Sequence, residues 1–146
     1  MSGMSEVSDV FAVGEVFAED VTFTTENVRA MAELLGDPNP IHHAVDPRYG
    51  ALVACGGHIA GRALSIAAAC VSARAPDSLG RNWHVRFRLP VLAGDVMRIE
   101  WRVLSLAPHP RGTLLTFEGT GTVRRGDADL LALTASGDAV LLDTNA

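Results

Sequence analysis

The sequence predicts an α+β fold in which an antiparallel sheet wraps one apolar helix. Three observations predict it. A helix-period segment and a long apolar segment come first, and four strand patterns follow them; helices segregated from strands mean α+β rather than a βαβ repeat. From Gly57 to Arg74 there is no proline, and Ala63, Leu64, Ile66, Ala67, Ala68, Ala69, Cys70 and Val71 make the segment apolar nearly all round, the mark of a buried helix. From Asn82 to Leu142 apolar residues alternate with polar ones between turn signals.

The elements follow in order. Phe11 to Phe23 reads as short extended segments, broken at Gly14 and at a Glu19-Asp20 turn. Thr24 or Thr25 can cap a helix, with Glu26 in its first turn. Val28, Met31 and Leu35 then share one helical face, and Gly36 is a natural stop. Asp37 to Cys55 is a long connection broken by Pro38, Pro40, Pro47 and Gly50, with Asp46-Pro47-Arg48-Tyr49 able to start one helical turn. Connections of that length in small domains are usually functional or disordered. Its apolar residues favour an ordered loop. In the helix that follows, His58, Arg62, Ser65 and Ser72 form a polar stripe expected to face a crevice, an interface or solvent. Strands are expected from Asn82 to Leu89, Met97 to Val103, Thr113 to Arg124, and Leu130 to Leu142 with a bend at Gly137. Gly119 and Gly121 sit on the apolar side of the third, where glycine marks a close approach. A half-covered sheet leaves an edge that a homodimer would extend.

At 146 residues the chain is long enough for one domain with a real core. A flexible tail over residues 1–10 and a single domain over residues 11–146 are expected. A net charge of -5 without a basic run argues against nucleic acid. Ile59 to Val71 is too short to span a bilayer. Met1 to Asp9 lacks a signal-peptide layout. Cys55 and Cys70 have no disulfide or metal spacing, so reduced thiols in a cytoplasmic protein are expected.

Chemistry concentrates in Gly36-Asp37-Pro38-Asn39-Pro40-Ile41-His42. The prolines fix their own backbone angles and push Asp37 and Asn39 towards extended conformations. Asp37 stands just past a helix C-terminus, where the macrodipole disfavours negative charge by about 0.3–1 kcal/mol and so favours a base. A carboxylate and an imidazole held near one water can move its proton, and Asn39 can orient either. The same residues are also good turn formers. His43 beside His42 invites a metal, but no ligand spacing supports one. The helix opening at Gly56-Gly57 offers free N–H groups for a developing oxyanion, with His58 at its head.

Gly36-Asp37-Pro38-Asn39-Pro40-Ile41-His42 resembles the GDxNPIH signature of the MaoC-like dehydratase and R-specific enoyl-CoA hydratase family. Gly56-Gly57-His58-Ile59-Ala60 looks like that family's approach to its central helix. Val85 to Val91 with Gly94-Asp95 is similar to its strand ending in a Pro-Val turn. The resemblance implies a hotdog fold, usually dimeric. It implies reversible hydration of an enoyl thioester, carried by coenzyme A or acyl carrier protein, without cofactor or metal. It makes Asp37 the base, His42 the acid and Asn39 a support of the loop. The family's His-Gly at the central helix has no clean match here. Either Ala60-Gly61 or Gly61-Arg62 takes its place, so Gly57, Gly61 and Arg62 are the candidates for holding the thioester. A hotdog thioesterase and a non-catalytic acyl-thioester-binding subunit are the alternatives.

Overall fold

The computed structural model describes residues 10–143; the expected N-terminal tail lies almost wholly outside them. Strand β1 (Val16–Thr22) leads to helix α1 (Thr25–Leu35), a single 3-10 turn (Pro40–His42) and helix α2 (Gly56–Arg74). Strands β2 (Ser78–Phe87), β3 (Val96–His109), β4 (Gly112–Arg125) and β5 (Ala128–Leu142) complete the chain. All pairings are antiparallel, and the sheet order is β1-β3-β4-β5-β2.

Helix α1 starts in a capping box. Thr24 Oγ1 accepts the Asn27 N–H and Asn27 Oδ1 accepts the Thr24 N–H, each at 3.0 Å. Gly36 ends it in the left-handed region at φ 71°. The buried residues of α1 are Val28 and Ala32, so the core-facing stripe is rotated from the expected Val28-Met31-Leu35 line. Leu35 is half-exposed and lies over Gly57, where a Cβ would stand 2.8 Å from Leu35 Cδ1.

Strands β3 and β4 bury Met97, Ile99, Trp101, Val103, Leu115, Phe117 and Val123 against Ile59, Ala63, Ile66 and Ala67 of α2. Trp101 Nε1 donates to the Ala63 carbonyl at 3.1 Å, tying helix to sheet. Gly119 and Gly121 make room for Trp101 and Met97, as a close approach requires.

The Asp46–Tyr49 segment makes one uncontinued helical turn, as expected: the Asp46 carbonyl accepts the Tyr49 and Gly50 N–H groups at 3.0 and 2.8 Å, and Asp46 Oδ1 caps the Arg48 N–H at 2.8 Å. Four expectations change. Glu19 and Asp20 lie inside β1 rather than in a turn. The sheet irregularities fall at Gly80/Asn82, Val103/Ser105 and Gly121/Thr122, while Gly137 pairs regularly with Phe117. Helix α2 is buried on one side only, leaving Gly57, Gly61, Leu64 and Ala68 open. Finally, His58 leaves the polar stripe and is buried edge-on against Phe23, with ring centroids 4.9 Å apart.

Candidate active site

The chemistry-bearing loop is built outward from the sheet. After β2 the chain turns through Val91–Ala93, and Leu52–Ala54 runs beside it. The Ala54 N–H bonds the Val91 carbonyl and the Ala93 N–H bonds the Leu52 carbonyl, both at 2.8 Å. Val53 then holds the 3-10 turn from both sides. Its N–H reaches the Ile41 carbonyl at 2.9 Å, and its carbonyl accepts from His42 Nδ1 at 2.6 Å. From the other end, the αL glycine and the Asp37 N–H to Ala32 carbonyl bond at 2.9 Å fix how Asp37 leaves α1.

These constraints meet in a dyad. His42 Nε2 stands 3.2 Å from Asp37 Oδ2, with His42 nearly fully buried and Asp37 38% exposed. The carbonyl of Val53 can only accept, so Nδ1 carries a proton. Nε2 and Oδ2 then face one another, an ion pair whenever Nε2 also carries a proton. Asp37 is the open side of the pair.

Asn39 orients backbone rather than side chains. Its N–H donates to Asp37 Oδ1 at 3.1 Å, and its Oδ1 accepts the Ile41 N–H at 3.3 Å. His43, set aside in the sequence as a metal ligand, donates Nε2–H to the Asp37 carbonyl at 2.8 Å. It braces the loop from behind. Among the described residues no group of three or more His, Cys, Asp or Glu side chains is placed to hold a metal.

Three residues past Val53, α2 begins without a side-chain cap. The Cys55 carbonyl accepts the N–H groups of His58 and Ile59 at 3.1 and 3.2 Å. Gly56 and Gly57 keep the first-turn N–H groups without an acceptor among the described residues. Gly61 and Arg62 are interior helical positions, so their N–H groups are spent on the helical ladder. The open donors therefore belong to Gly56-Gly57, not to Gly61-Arg62. Only the half-buried Arg62 side chain remains available to a ligand. His58 is kept below its ordinary value of 6.5 by burial first and by the Arg62 charge second, and its Nδ1 is buried without a partner. It is a neutral group packed beneath the helix start.

Sequence reasoning missed Val53 and His43. Val53 acts through its carbonyl, which no residue type advertises. His43 adjoins His42, and that adjacency was the one available signal. A cavity away from the dyad is also present. It lies between the second half of α2 and β2, with a volume of about 460 Å³.

Solved structures with this fold include the unliganded R-hydratase PhaJ1 from Pseudomonas aeruginosa, 17% identical, with a TM-score of 0.72 over 91% of this chain and 83% of that one. The (R)-hydratase from A. caviae involved in PHA biosynthesis is 22% identical, with a TM-score of 0.69 over 90% and 97%. The truncated HadBC (3R-hydroxyacyl-ACP dehydratase) complex from Mycobacterium tuberculosis is 18% identical, with a TM-score of 0.72 over 88% and 96%. At these identities the likeness is one of fold, and the fold is the hotdog, with its curved sheet around a central helix. No curated protein sequence matches significantly. The MaoC like domain matches residues 11–110, more than half of the sequence and the whole loop from Gly36 to His42, and the chain belongs to that family.

Proposed function

We propose that this chain, as a single domain, catalyses the reversible hydration of an enoyl thioester to a 3-hydroxyacyl thioester. The observation that carries the proposal is the Asp37–His42 dyad at 3.2 Å, anchored to the backbone at Val53 beside the open start of α2.

The starting state has Asp37 ionised and His42 protonated on Nε2. A water held by the pair gives its proton to Asp37 Oδ2 while its oxygen bonds to C3. The C2=C3 electron pair moves to make the thioester enolate, whose oxygen takes the Gly57 N–H. His42 Nε2–H then protonates C2, closing the hydration. Asp37 is left neutral and His42 has a bare Nε2, so one proton crossing the 3.2 Å contact restores the starting state. The dehydration runs these steps in reverse. The Nδ1–H bond to the Val53 carbonyl keeps the imidazole oriented throughout.

Two copies would join along β2. This strand is a free edge of the sheet and exposes Leu79 and Phe87. Two free cysteines, Cys55 and Cys70, suit a reducing cytoplasm. A second reading has an observation of its own. Solved neighbours include the two-subunit ChsH1-ChsH2 and HadBC complexes, so this chain would instead be a subunit that binds acyl thioester and works with a second, different chain.

The test is a panel of enoyl thioesters on coenzyme A and on acyl carrier protein, followed by loss of enoyl conjugation, with Asp37→Asn as control. Turnover in the wild type that Asp37→Asn abolishes supports the proposal. Release of free thiol without hydration would assign a thioesterase instead. Binding without turnover by the chain alone would assign the subunit role.

A further inference from the structure

The proposed chemistry gives Gly94-Asp95 no part, yet Asp95 is the one buried carboxylate among the described residues, 9% exposed. Burying a charge is costly unless it is paired and hydrogen-bonded, and the bonds of Asp95 all bear on one turn. Residues 90–95 lie between β2 and β3 and belong to neither strand, so the sheet ladder does not place them. Asp95 Oδ2 accepts the Leu92 N–H at 2.8 Å. Arg125, the last residue of β4, donates from Nη2 to the Pro90 carbonyl at 2.6 Å and to Asp95 Oδ2 at 2.7 Å, with its Nε 3.3 Å from Oδ1. One guanidinium holds the turn at both ends.

That turn places Leu52–Ala54. The Val91 carbonyl takes the Ala54 N–H, the Leu52 carbonyl takes the Ala93 N–H, and Leu92 faces Val53 in an isolated bridge. Leu52, Val53 and Ala54 carry no polar side chain, so backbone bonds are the only hydrogen bonds that can hold them. Val53 passes the position on, its carbonyl accepting from His42 Nδ1 at 2.6 Å. A second line runs through Phe23. The Gly94 N–H donates to the Phe23 carbonyl at 2.6 Å, and the Phe23 N–H donates to the Asp95 carbonyl at 2.9 Å. Phe23 directly precedes Thr24, the cap of α1, and the far end of α1 delivers Asp37. Both members of the dyad are therefore referred to the same turn, by two routes.

We propose that Asp95 and Arg125 are positioning residues, which together set where the Val53 carbonyl stands and so hold the His42 ring towards Asp37. The inference rests on the hydration reading for its effect on rate, whereas the orientation of the ring is a property of the free protein. A misplacement of about 1 Å can cost on the order of 10²-fold in rate, so the turn need not come apart for the effect to show.

The experiment follows the His42 Nδ1 proton by NMR in isotope-labelled wild type, Asp95→Ala and Arg125→Met, each shown to be folded by near-UV circular dichroism. Turnover of enoyl-CoA substrates is measured alongside, and His42→Gln assigns the resonance. Gly119→Ala, which crowds the Trp101 ring and leaves Asp95 and Arg125 in place, controls for lost stability alone. The wild type and Gly119→Ala should show a downfield proton protected from exchange. In Asp95→Ala and Arg125→Met it should exchange at least about tenfold faster. Their kcat should fall by about 10–10²-fold with KM little changed. If Asp95→Ala does not fold, Arg125→Met decides, since its Asp95 still accepts from Leu92. Unchanged exchange of the proton in the folded variants would overturn the proposal, whatever kcat does. So would faster exchange that leaves the kcat of an active enzyme unaltered, an equal loss of protection in Gly119→Ala, or an unprotected proton in the wild type. A wild type that turns over no enoyl thioester, yet whose proton is released in Asp95→Ala, would uphold the positioning role and count against the hydration reading.

Discussion

Replacing Gly119 by alanine tests the joint between sheet and central helix. A Cβ at Gly119 would stand 2.6, 2.7 and 2.8 Å from three atoms of the Trp101 ring. Carbon contacts settle near 3.5–4.0 Å, so about 0.8 Å of separation must be found. Trp101 has little to give. It is fully buried, meets Phe117 edge-on at 5.2 Å, lies tilted against Trp83 at 5.2 Å, and holds the Ala63 carbonyl at 3.1 Å. A ring shift of that size would stretch the indole bond past hydrogen-bond range. The Gly119 backbone is pinned as well, paired with Trp101 on β3 and with Ala135 on β5. Overpacking of this kind costs about 1–3 kcal/mol, and a lost indole bond about 1 kcal/mol more. Relief of the strand-glycine entropy cost returns roughly 0.5–1 kcal/mol. The net expectation is a loss of about 1–3 kcal/mol, dominated by overpacking. Urea unfolding followed by tryptophan fluorescence measures it, with an unchanged m-value showing that the same surface unfolds. A midpoint equal to or above wild type would refute the claim that Gly119 is required by the ring above it.

Three further outcomes are expected. Asp37→Asn and His42→Gln should each lower kcat by about 10²–10⁴-fold, the usual worth of a proton-transfer group, with far smaller changes in KM; a loss confined to KM would make the dyad a binding feature. His58 is held below 6.5 by burial and then by Arg62. Its neutral form is therefore favoured on folding, its contribution is complete above 6.5, and stability falls as pH drops below that value while the unfolded chain takes up the proton. The urea midpoint should fall more steeply between pH 7 and pH 5 in wild type than in His58→Leu, and parallel slopes would refute it. Arg125→Met leaves Asp95, only 10% exposed at its side chain, without the guanidinium 2.7 Å away. With Arg125 a third exposed, the loss should be about 1–3 kcal/mol rather than that of a fully buried pair. Asp95→Asn with Arg125→Met, measured as a cycle, checks that the cost is shared.

Much of the fold was legible because caps and alternation are local. Thr24 and Gly36 bracket α1, and the buried residues of β3 and β4 keep a period of two. The misses have local causes too. Strand β3 runs on through Pro108, past Val103 where the sequence expects it to end. Beyond Arg102 strand β1 no longer pairs with β3, so Pro108 needs no N–H towards that side and is tolerated. In α2 the alanines carry no polarity contrast, so nothing in their order says which face the sheet covers. An apolar helix read as buried all round is in fact open along Gly57, Gly61, Leu64 and Ala68.

The site divides along the same line. Side-chain chemistry was visible: Asp37 and His42 stand in one stiff segment, and the fold brings them to 3.2 Å. Backbone chemistry was not. Which N–H groups are free depends on where α2 begins, and a shift of five residues would move them from Gly56-Gly57 to Gly61-Arg62. The helix starts at Gly56 because Cys55 is extended and Ala54 is already bonded to Val91. The same bonding carries Val53 to His42. One short segment, Leu52–Cys55, therefore sets both halves of the site: its carbonyl orients the imidazole, and its end releases the donors. Whatever shifts that segment should disturb the proposed proton transfer and the proposed oxyanion binding together.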